Sequence, residues 1–463
     1  RALWGLEGQQ LWGFETDCAA LALARTQLPG ARIAGQDFLT TSAGGTMDLV
    51  VGNPPYLRRR GLRRDLYVDF IERSVDQLRD GGHLGLVLSN AWLSVGYGRE
   101  VQQLLLRRCA VEWILESTVE RWFEGASVNT MVLIARRCDD AEARARQAVA
   151  FAELREPLPA APTVVREVLQ SELVEDAPWA LQLRAPDRYL DLCSSKATVP
   201  LGELARLQRG HTTNDNAFFY PPEDAGIEET YLAPLLKGPR DSPGLRVQTA
   251  ELSGRVFLCN VDRETLKNRG EVGALNWVNS HRAQKEASSW SLRSQESARL
   301  FLVKGYHDRF RQPRADEPVQ ADQQLYLVHP RPGVDELVLA GLLNSSWFQL
   351  ALELTGRVNF GDGVLWLGLS DARERLMVPD LRCWTEQSRQ ELATAYLALP
   401  SGPVPPEARM GEDPLWARPR ARLDEVVAAT LGLQMEDYRA LAQCGVSLCR
   451  RRLTLAASSR RPG

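Results

Sequence analysis

Short apolar runs alternate with amphipathic stretches through roughly the first third of this chain. Residues 10–15 predict a short strand, and the Ala/Leu-rich stretch 17–28 predicts a helix with Asp17 near its N-terminus. A second strand is expected over 31–36, ending at Asp37-Phe38, and a third over Asp48–Val51. Leu66 to Leu78 has apolar residues at 66, 70, 71, 75 and 78, which is helical spacing, and Asp80-Gly81-Gly82 is a stop signal. Further strands are expected over His83–Ser89, Val111–Leu115 and Thr130–Ala135 and near Val149–Phe151, with a helix over Val101–Cys109. Strand and helix in alternation predict an open, mostly parallel α/β sheet.

The pattern then changes. Residues 140–200 are looser, with prolines at 157, 159, 162 and 178. From Val199 to about Glu336 helical periodicity is weak, and Gly, Pro, Trp and Asn rise, as in a mixed domain. Leu423–Leu431 and Met435–Leu441 predict helices, followed by an arginine-rich tail, and Pro403-Val404-Pro405-Pro406 interrupts this last region.

At 463 residues the chain predicts two or three domains. The apolar fraction of 44% and the charged fraction of 25% are those of a globular protein, and no apolar run is long enough to cross a bilayer, so no membrane partner is expected. The eight cysteines include no Cys-x-x-Cys pair, so neither a metal site nor a disulfide framework is expected, and a reducing cytoplasm fits best. A net charge of −3 does not by itself advertise a nucleic-acid partner.

Candidate chemistry concentrates at strand ends, where open α/β sheets bind ligands. The strongest is Asn53-Pro54-Pro55-Tyr56, just after the third strand. The Asn53 side-chain carbonyl and the Pro54 backbone carbonyl can both accept hydrogen bonds from one NH2 group. Two successive prolines fix the backbone that aims these acceptors. The Tyr56 ring offers a face on which a flat heterocycle can stack. These residues suit methylation of an amino nitrogen on a planar acceptor. Glu15 and Asp37 end the two preceding strands. An acid at the first position can take a ribose diol, and Asp37 can accept from an adenine amino group with Phe38 packed beside the ring. Either acid alone reads as a helix cap or a solvated carboxylate. Both, in order and followed by the clamp, favour a bound nucleoside. Arg58, Arg59, Arg60, Arg63 and Arg64 follow Tyr56 closely. Such a run alone is a solvated loop, but beside the clamp it is a candidate phosphate-contacting patch.

The motifs Gly13-Phe14-Glu15-Thr16-Asp17, Gly35-Gln36-Asp37-Phe38-Leu39 and Asn53-Pro54-Pro55-Tyr56 resemble successive motifs of the adenine-N6 DNA methyltransferases of restriction–modification or phage-defence systems. Ser89-Asn90-Ala91-Trp92-Leu93-Ser94 is similar to the next motif, and Phe123-Glu124-Gly125-Ala126 to the segment before the last strand. Arg209-Gly210-His211-Thr212-Thr213-Asn214-Asp215-Asn216, Tyr231-Leu232-Ala233-Pro234 and Leu342-Leu343-Asn344-Ser345-Ser346 resemble a Taq-type C-terminal specificity domain.

The resemblance implies a Rossmann-like sheet using S-adenosylmethionine, and methylation of an adenine flipped out of double-stranded DNA between Tyr56 and Phe123. It also implies a catalytic domain over 1–155, a connecting segment over 156–195, a mixed α+β target-recognition domain over 196–385 and a helical C-terminal region over 386–463. The family's first strand and glycine-rich cofactor turn are not matched, so the chain is expected to be truncated at its start. Arg206, Arg209, His211, Asn214, Arg309 and Arg311 are DNA-contact candidates in the second domain. No nuclease motif stands out, so cleavage is expected to reside upstream or on a partner subunit. The same clamp also serves methylation of protein glutamine amides and of RNA amino groups, and a catalytically incomplete DNA-recognition subunit is a further alternative.

Overall fold

The computed structural model describes residues 10–42, 44–55, 66–93, 98–118, 130–156, 160–282, 285, 287–293, 295–358 and 363–458. The chain divides into two compact units, Arg1–Leu183 and Arg184–Gly463.

In the first unit β1 (Trp12–Phe14), α1 (Cys18–Gln27) and β2 (Arg32–Ala34) form a parallel strand–helix–strand unit, with Phe14 opposite Ala34. Asp17 caps α1 by accepting from the Ala20 amide at 2.8 Å. Next come β3 (Met47–Gly52), α2 (Leu66–Gln77), β4 (Leu78–Ser89), α3 (Arg99–Arg108), β5 (Cys109–Ser117), β6 (Thr130–Arg137), α4 (Ala141–Ala145), β7 (Ala148–Leu154) and β8 (Thr163–Leu169). Strands β3 to β8 make a six-stranded sheet in the order β3-β4-β6-β5-β7-β8.

Two expectations need correction. The sheet is mixed rather than mostly parallel. β3 pairs parallel to β4 and β5 parallel to β7, but β6 inserts antiparallel between β4 and β5, and β8 is antiparallel to β7. Alternation of strand and helix constrains direction only where a helix returns the chain, and no described helix lies between β5 and β6 or between β7 and β8. Second, β4 starts at Leu78, not His83. Asp80-Gly81-Gly82 does not end a helix there but bulges the strand, moving the β3 partner from Leu78 at Met47 to His83 at Leu49. Gly81 has φ +77°, and a Cβ on Gly82 would lie 2.7 Å from the Met47 carbonyl.

The core follows from period. Leu84, Leu86 and Leu88 alternate inward along β4, and Val68, Ile71 and Val75 face them from α2. Val101 and Leu105 of α3, Ile114 of β5 and Leu133 of β6 complete it, each buried apolar side chain contributing about 1.5–3 kcal/mol. This core fixes the β3–β4 register and hence where β3 ends.

The second unit is built on a seven-stranded mixed sheet whose main path runs Ala205–Arg209, Leu325–Pro330, Ala298–Val303, Arg314–Ala321, Leu232–Leu236 and Arg255–Phe257. An aromatic cluster of Phe218, Phe219, Tyr231, Phe257 and Trp290 forms a satellite core. Helices Glu336–Leu343, Ser346–Thr355, Glu386–Leu397, Ala417–Thr430 and Met435–Ser458 make the rest. The last runs far beyond the expected Leu441, so the arginine-rich segment is helical, and Arg452 is buried against Glu353 rather than solvated. Among the described residues no single helix is long and apolar enough to cross a membrane.

Glu407 is buried in this unit, its Oε2 has no hydrogen-bond partner among the described residues, and burial raises its carboxyl pKa above the usual glutamate range. The folded chain therefore holds this proton to higher pH than the unfolded chain. Its contribution to stability is complete below the ordinary glutamate range and is lost as pH rises through the raised value. Glu407→Gln is expected to stabilise the unit by about 1 kcal/mol at neutral pH and to bring no gain near pH 4. Denaturant melts at the two pH values check this, and equal wild-type and variant stability at pH 7 counts against it.

Candidate functional site

Three strand ends in the first unit carry the expected side chains. Glu15 follows β1, and its amide donates to Ala34 O of β2 at 3.1 Å. Its Oε1 accepts from the Asp17 amide at 2.8 Å, which holds the carboxylate close to the start of α1. Asp37 follows β2 and caps the short turn Phe38–Thr40, accepting from the Leu39 amide at 2.9 Å. Glu15 and Asp37 thus extend from the carboxyl ends of two paired parallel strands.

Phe38 is half-buried. Its ring centroid lies 5.5 Å from that of Phe14 and 5.7 Å from that of Phe70, the latter pair stacked at 29°. The row Phe14–Phe38–Phe70 ties β1 and the Asp37 turn to α2. Arg73 and Gln77 of α2 add bonds to Leu39 O and Ser42 O, at 3.3 and 2.9 Å. The loop carrying Asp37 is therefore fixed by packing and hydrogen bonds. Neither Phe14 nor Phe70 was singled out from the sequence, where each is one more apolar residue in an element.

Asn53, Pro54 and Pro55 follow β3 directly. Asn53 is exposed, Pro54 buried and Pro55 half-buried. Burial of Pro54 anchors the backbone while the Asn53 side chain faces out. Tyr56, Arg58, Arg59, Arg60, Arg63, Arg64 and Phe123 lie outside the described residues.

The sequence reading missed Glu116. It is buried near the end of β5, and its Oε1 accepts from Asn90 Nδ2 at 2.7 Å, just past the end of β4. The signal was an acid inside the apolar run Val111 to Leu115 and beyond, where a carboxylate needs a specific partner. Asn53, Asn90 and Glu116 extend from the carboxyl ends of β3, β4 and β5, with Asn90 held by Glu116.

In the second unit the DNA-contact candidates separate. Arg209 is exposed at the end of its strand. His211 is 2% exposed and bonded through Nε2 to Gln320 Oε1 at 2.9 Å. Burial lowers its imidazole pKa, while Gln320 and Asp322 oppose that shift, and the ring packs inside the unit. Arg309 donates to Val404 O and Arg311 to Pro239 O, and both serve as internal braces. Arg206 is paired with Glu296. Asn214 is exposed with φ +56°, a left-handed residue in the loop that Asp215 closes by capping the next helix. Among the described residues no group of acids, histidines and cysteines is arranged to hold a metal ion.

Residues 25–123 match the family model of the Eco57I restriction-modification methylase, a span that includes Asp37, Asn53 and Glu116. The chain is 34% identical over 104 residues to the type II methyltransferase M.PaeR7I of Pseudomonas aeruginosa, covering 19% of this chain and 18% of that protein. It is 26% identical over 252 residues to M.XhoI of Xanthomonas vasicola, covering 47% and 45%. It is 32% identical over 154 residues to M.TthHB8I of Thermus thermophilus, covering 28% and 34%. These matches span less than half the length of each curated relative. Among solved structures, the type IIL restriction-modification enzyme MmeI in complex with DNA superposes with a TM-score of 0.55 at 12% identity, covering 89% of this chain and 60% of that one. That likeness is one of fold.

Proposed function

From the match of residues 25–123 to the Eco57I restriction-modification methylase family, we propose that the chain transfers a methyl group from S-adenosylmethionine to the N6 amino group of an adenine in double-stranded DNA. The observation that carries the proposal is the end of β3, where an exposed Asn53 precedes a buried Pro54 at the edge of the six-stranded sheet, while the acids Glu15 and Asp37 follow the separately paired strands β1 and β2.

The donor set fits the cofactor. Glu15 offers its carboxylate for a ribose diol, Asp37 an acceptor for the adenine amino group, and Phe38 a half-buried ring beside it. The cofactor supplies an electrophilic sulfonium methyl. Asn53 Oδ1 and the Pro54 carbonyl accept hydrogen bonds from the two N–H groups of the target amine, and one of those protons leaves to solvent after the methyl is transferred. An aromatic amine is a weak nucleophile because its lone pair is delocalised into the ring. Gripping its hydrogens favours a tetrahedral nitrogen and directs the lone pair at the methyl carbon. Catalysis is then positioning and electrostatics, with no covalent enzyme intermediate.

The base leaves the duplex to reach this point, at about a few kcal/mol. In this proposal Tyr56 and Phe123 return about 1–3 kcal/mol each by stacking, and Arg58, Arg59, Arg60, Arg63 and Arg64 hold the neighbouring phosphates. Residues 196–385 act as the target-recognition domain, and the protein works in the cytoplasm of a prokaryote.

The test is a transfer assay with labelled S-adenosylmethionine and duplex DNA, RNA and protein acceptors. N6-methyladenine in the DNA digest is the expected product. Label on RNA or on glutamine amides instead overturns the proposal. Glu15→Ala is expected to weaken S-adenosylmethionine binding by about tenfold or more, through loss of charge-assisted hydrogen bonds. Calorimetry giving an unchanged Kd removes Glu15 from the cofactor site.

A further inference from the structure

The turn Asp322-Gln323-Gln324 is where several distant stretches of the second unit converge. Gly210 N donates to Leu325 O at 3.1 Å, His211 N to Ala321 O at 2.7 Å, and Gln323 N to His211 O at 3.0 Å. Asp322 N donates to Leu236 O and Lys304 N to Gln324 O, both at 3.1 Å. Gly210 is packed so closely that a Cβ there would lie 2.1 Å from the Asp322 carbonyl. The backbone of this surface is thereby fixed, and binding through it costs little ordering entropy.

Many arginines of this unit are engaged internally, as in Arg246 with Leu397 O, Arg314 with Glu336 and Arg373 with Leu207 O. Arg209, Lys237 and Lys304 differ: among the described residues their charged ends have no hydrogen-bonded or ion-paired partner. Lys237 lies only over the Tyr220 ring, 5.9 Å from its centroid. The Lys304 ammonium is held below its usual range, first by burial and then by the Arg209 guanidinium, with Asp322 opposing. Two cations thus approach each other, offset by Asp322, whose carboxylate oxygens are already hydrogen-bonded.

The acids nearby are already engaged. Asp322 Oδ2 accepts from Tyr220 OH at 2.7 Å and its Oδ1 from Gln324 N at 3.0 Å. Asp241 Oδ2 accepts from the Lys237 and Gly238 amides at 2.8 and 3.2 Å. Asp322 is buried, whereas Asp241 is exposed with one oxygen engaged by the backbone, and the surface presents cations and carboxamides beside it. Gln323 and Gln324 are exposed. Gln323 Oε1 is within 3.4 Å of Thr212 Oγ1, and Gln324 lies over Gly238, where a Cβ would come 3.1 Å from its Oε1.

We propose that Gln323 and Gln324 read base edges in duplex DNA while Arg209, Lys237 and Lys304 hold the adjoining phosphates. A carboxamide presents a donor and an acceptor side by side, which matches the N6 and N7 of adenine in the major groove. Separate cations flanking two carboxamides match a surface that combines positioning contacts with base readout, not a pocket for one small anion. The inference rests on the DNA methyltransferase reading above and assigns part of its sequence selectivity to these residues.

The experiment selects bound duplexes from a random-sequence pool with the full-length protein and its variants, at two salt concentrations. N6-methyladenine is measured separately on the duplexes that the wild type selects. Gln323→Ala with Gln324→Ala is expected to lower the preference for selected over scrambled DNA by about tenfold, with scrambled binding within about twofold of wild type. Arg209→Ala with Lys237→Ala is expected to weaken all duplexes alike and to reduce the salt slope by about two. Gln323→Glu with Gln324→Glu places negative charge at the same spot and is expected to abolish binding. Wild-type sequence preference in the double-alanine variant, or wild-type binding in the double-glutamate variant, overturns the inference. Loss of preference in the double-alanine variant without N6-methyladenine from the wild type sustains this surface and overturns the methylation reading instead.

Discussion

Asn53→Ala is expected to reduce methyl transfer by at least about a hundredfold while leaving DNA affinity within about twofold. In the proposed clamp the side chain supplies one of two acceptors aimed at the target amine, and deleting one preorganised group of this kind typically costs about 10²–10³ in rate. Removing it leaves the Pro54 carbonyl alone, so the nitrogen is held at one hydrogen and its lone pair stays in the ring. The effect belongs to the chemical step because Asn53 is exposed at the end of β3 and outside the hydrophobic core. Surface substitutions of this kind change stability by about 0.5 kcal/mol or less. Single-turnover transfer with bound DNA separates the step from binding, and melting curves confirm the fold. Asn53→Asp keeps an acceptor oxygen and is expected to fall between alanine and wild type. Normal single-turnover transfer by Asn53→Ala removes the clamp from the mechanism.

Arg452→Ala is expected to destabilise the second unit by about 3–5 kcal/mol, the cost of leaving a buried charge without its partner. Arg452 and Glu353 have side chains 6% exposed each. Arg452 Nε lies 3.2 and 3.0 Å from the two Glu353 oxygens, and Nη2 lies 2.9 Å from Oε1. The same guanidinium donates to Gly363 O and His307 O. It thus joins the helix Met435–Ser458 to the helix Ser346–Thr355 and to two loops. Pairing Arg452→Met with Glu353→Leu is expected to recover most of the loss, because two apolar groups of similar volume carry no desolvation penalty. Denaturant melts of the single and double variants test this, and a single variant within about 1 kcal/mol of wild type refutes it.

These two sites differ in how far the sequence shows them. Asn53-Pro54-Pro55 is legible because its geometry is local. A strand's apolar run precedes it and two prolines set the backbone, so the exposed amide and the buried ring follow from neighbours in sequence. Asp37 is legible for the same reason, being both the end of β2 and the cap of the next turn. The Glu353–Arg452 pair is not. Its members are 99 residues apart, and an arginine-rich helix end has the composition of a solvated tail. His211 is the converse case. Its motif made it a DNA-contact candidate, and only the tertiary structure shows it buried and bonded to Gln320. Glu116 was passed over because an acid in a strand declares itself only when Asn90 is found beside it.

The sequence by itself determined the local elements of the first unit, the acids and the proline clamp at strand ends, and the likeness to amino-methylating enzymes. Periodicity, caps and proline geometry depend on residues a few positions apart, so one chain suffices to read them. Only the tertiary structure decided that β6 enters antiparallel between β4 and β5, that Phe14 and Phe70 flank Phe38, and that Arg452 is buried. It alone brought Gly210, Leu236, Lys304 and the Asp322 turn to one surface. Those facts rest on contacts between segments far apart in the chain, whose free energy comes from burial and from satisfying buried polar groups, and neither is set by sequence neighbours.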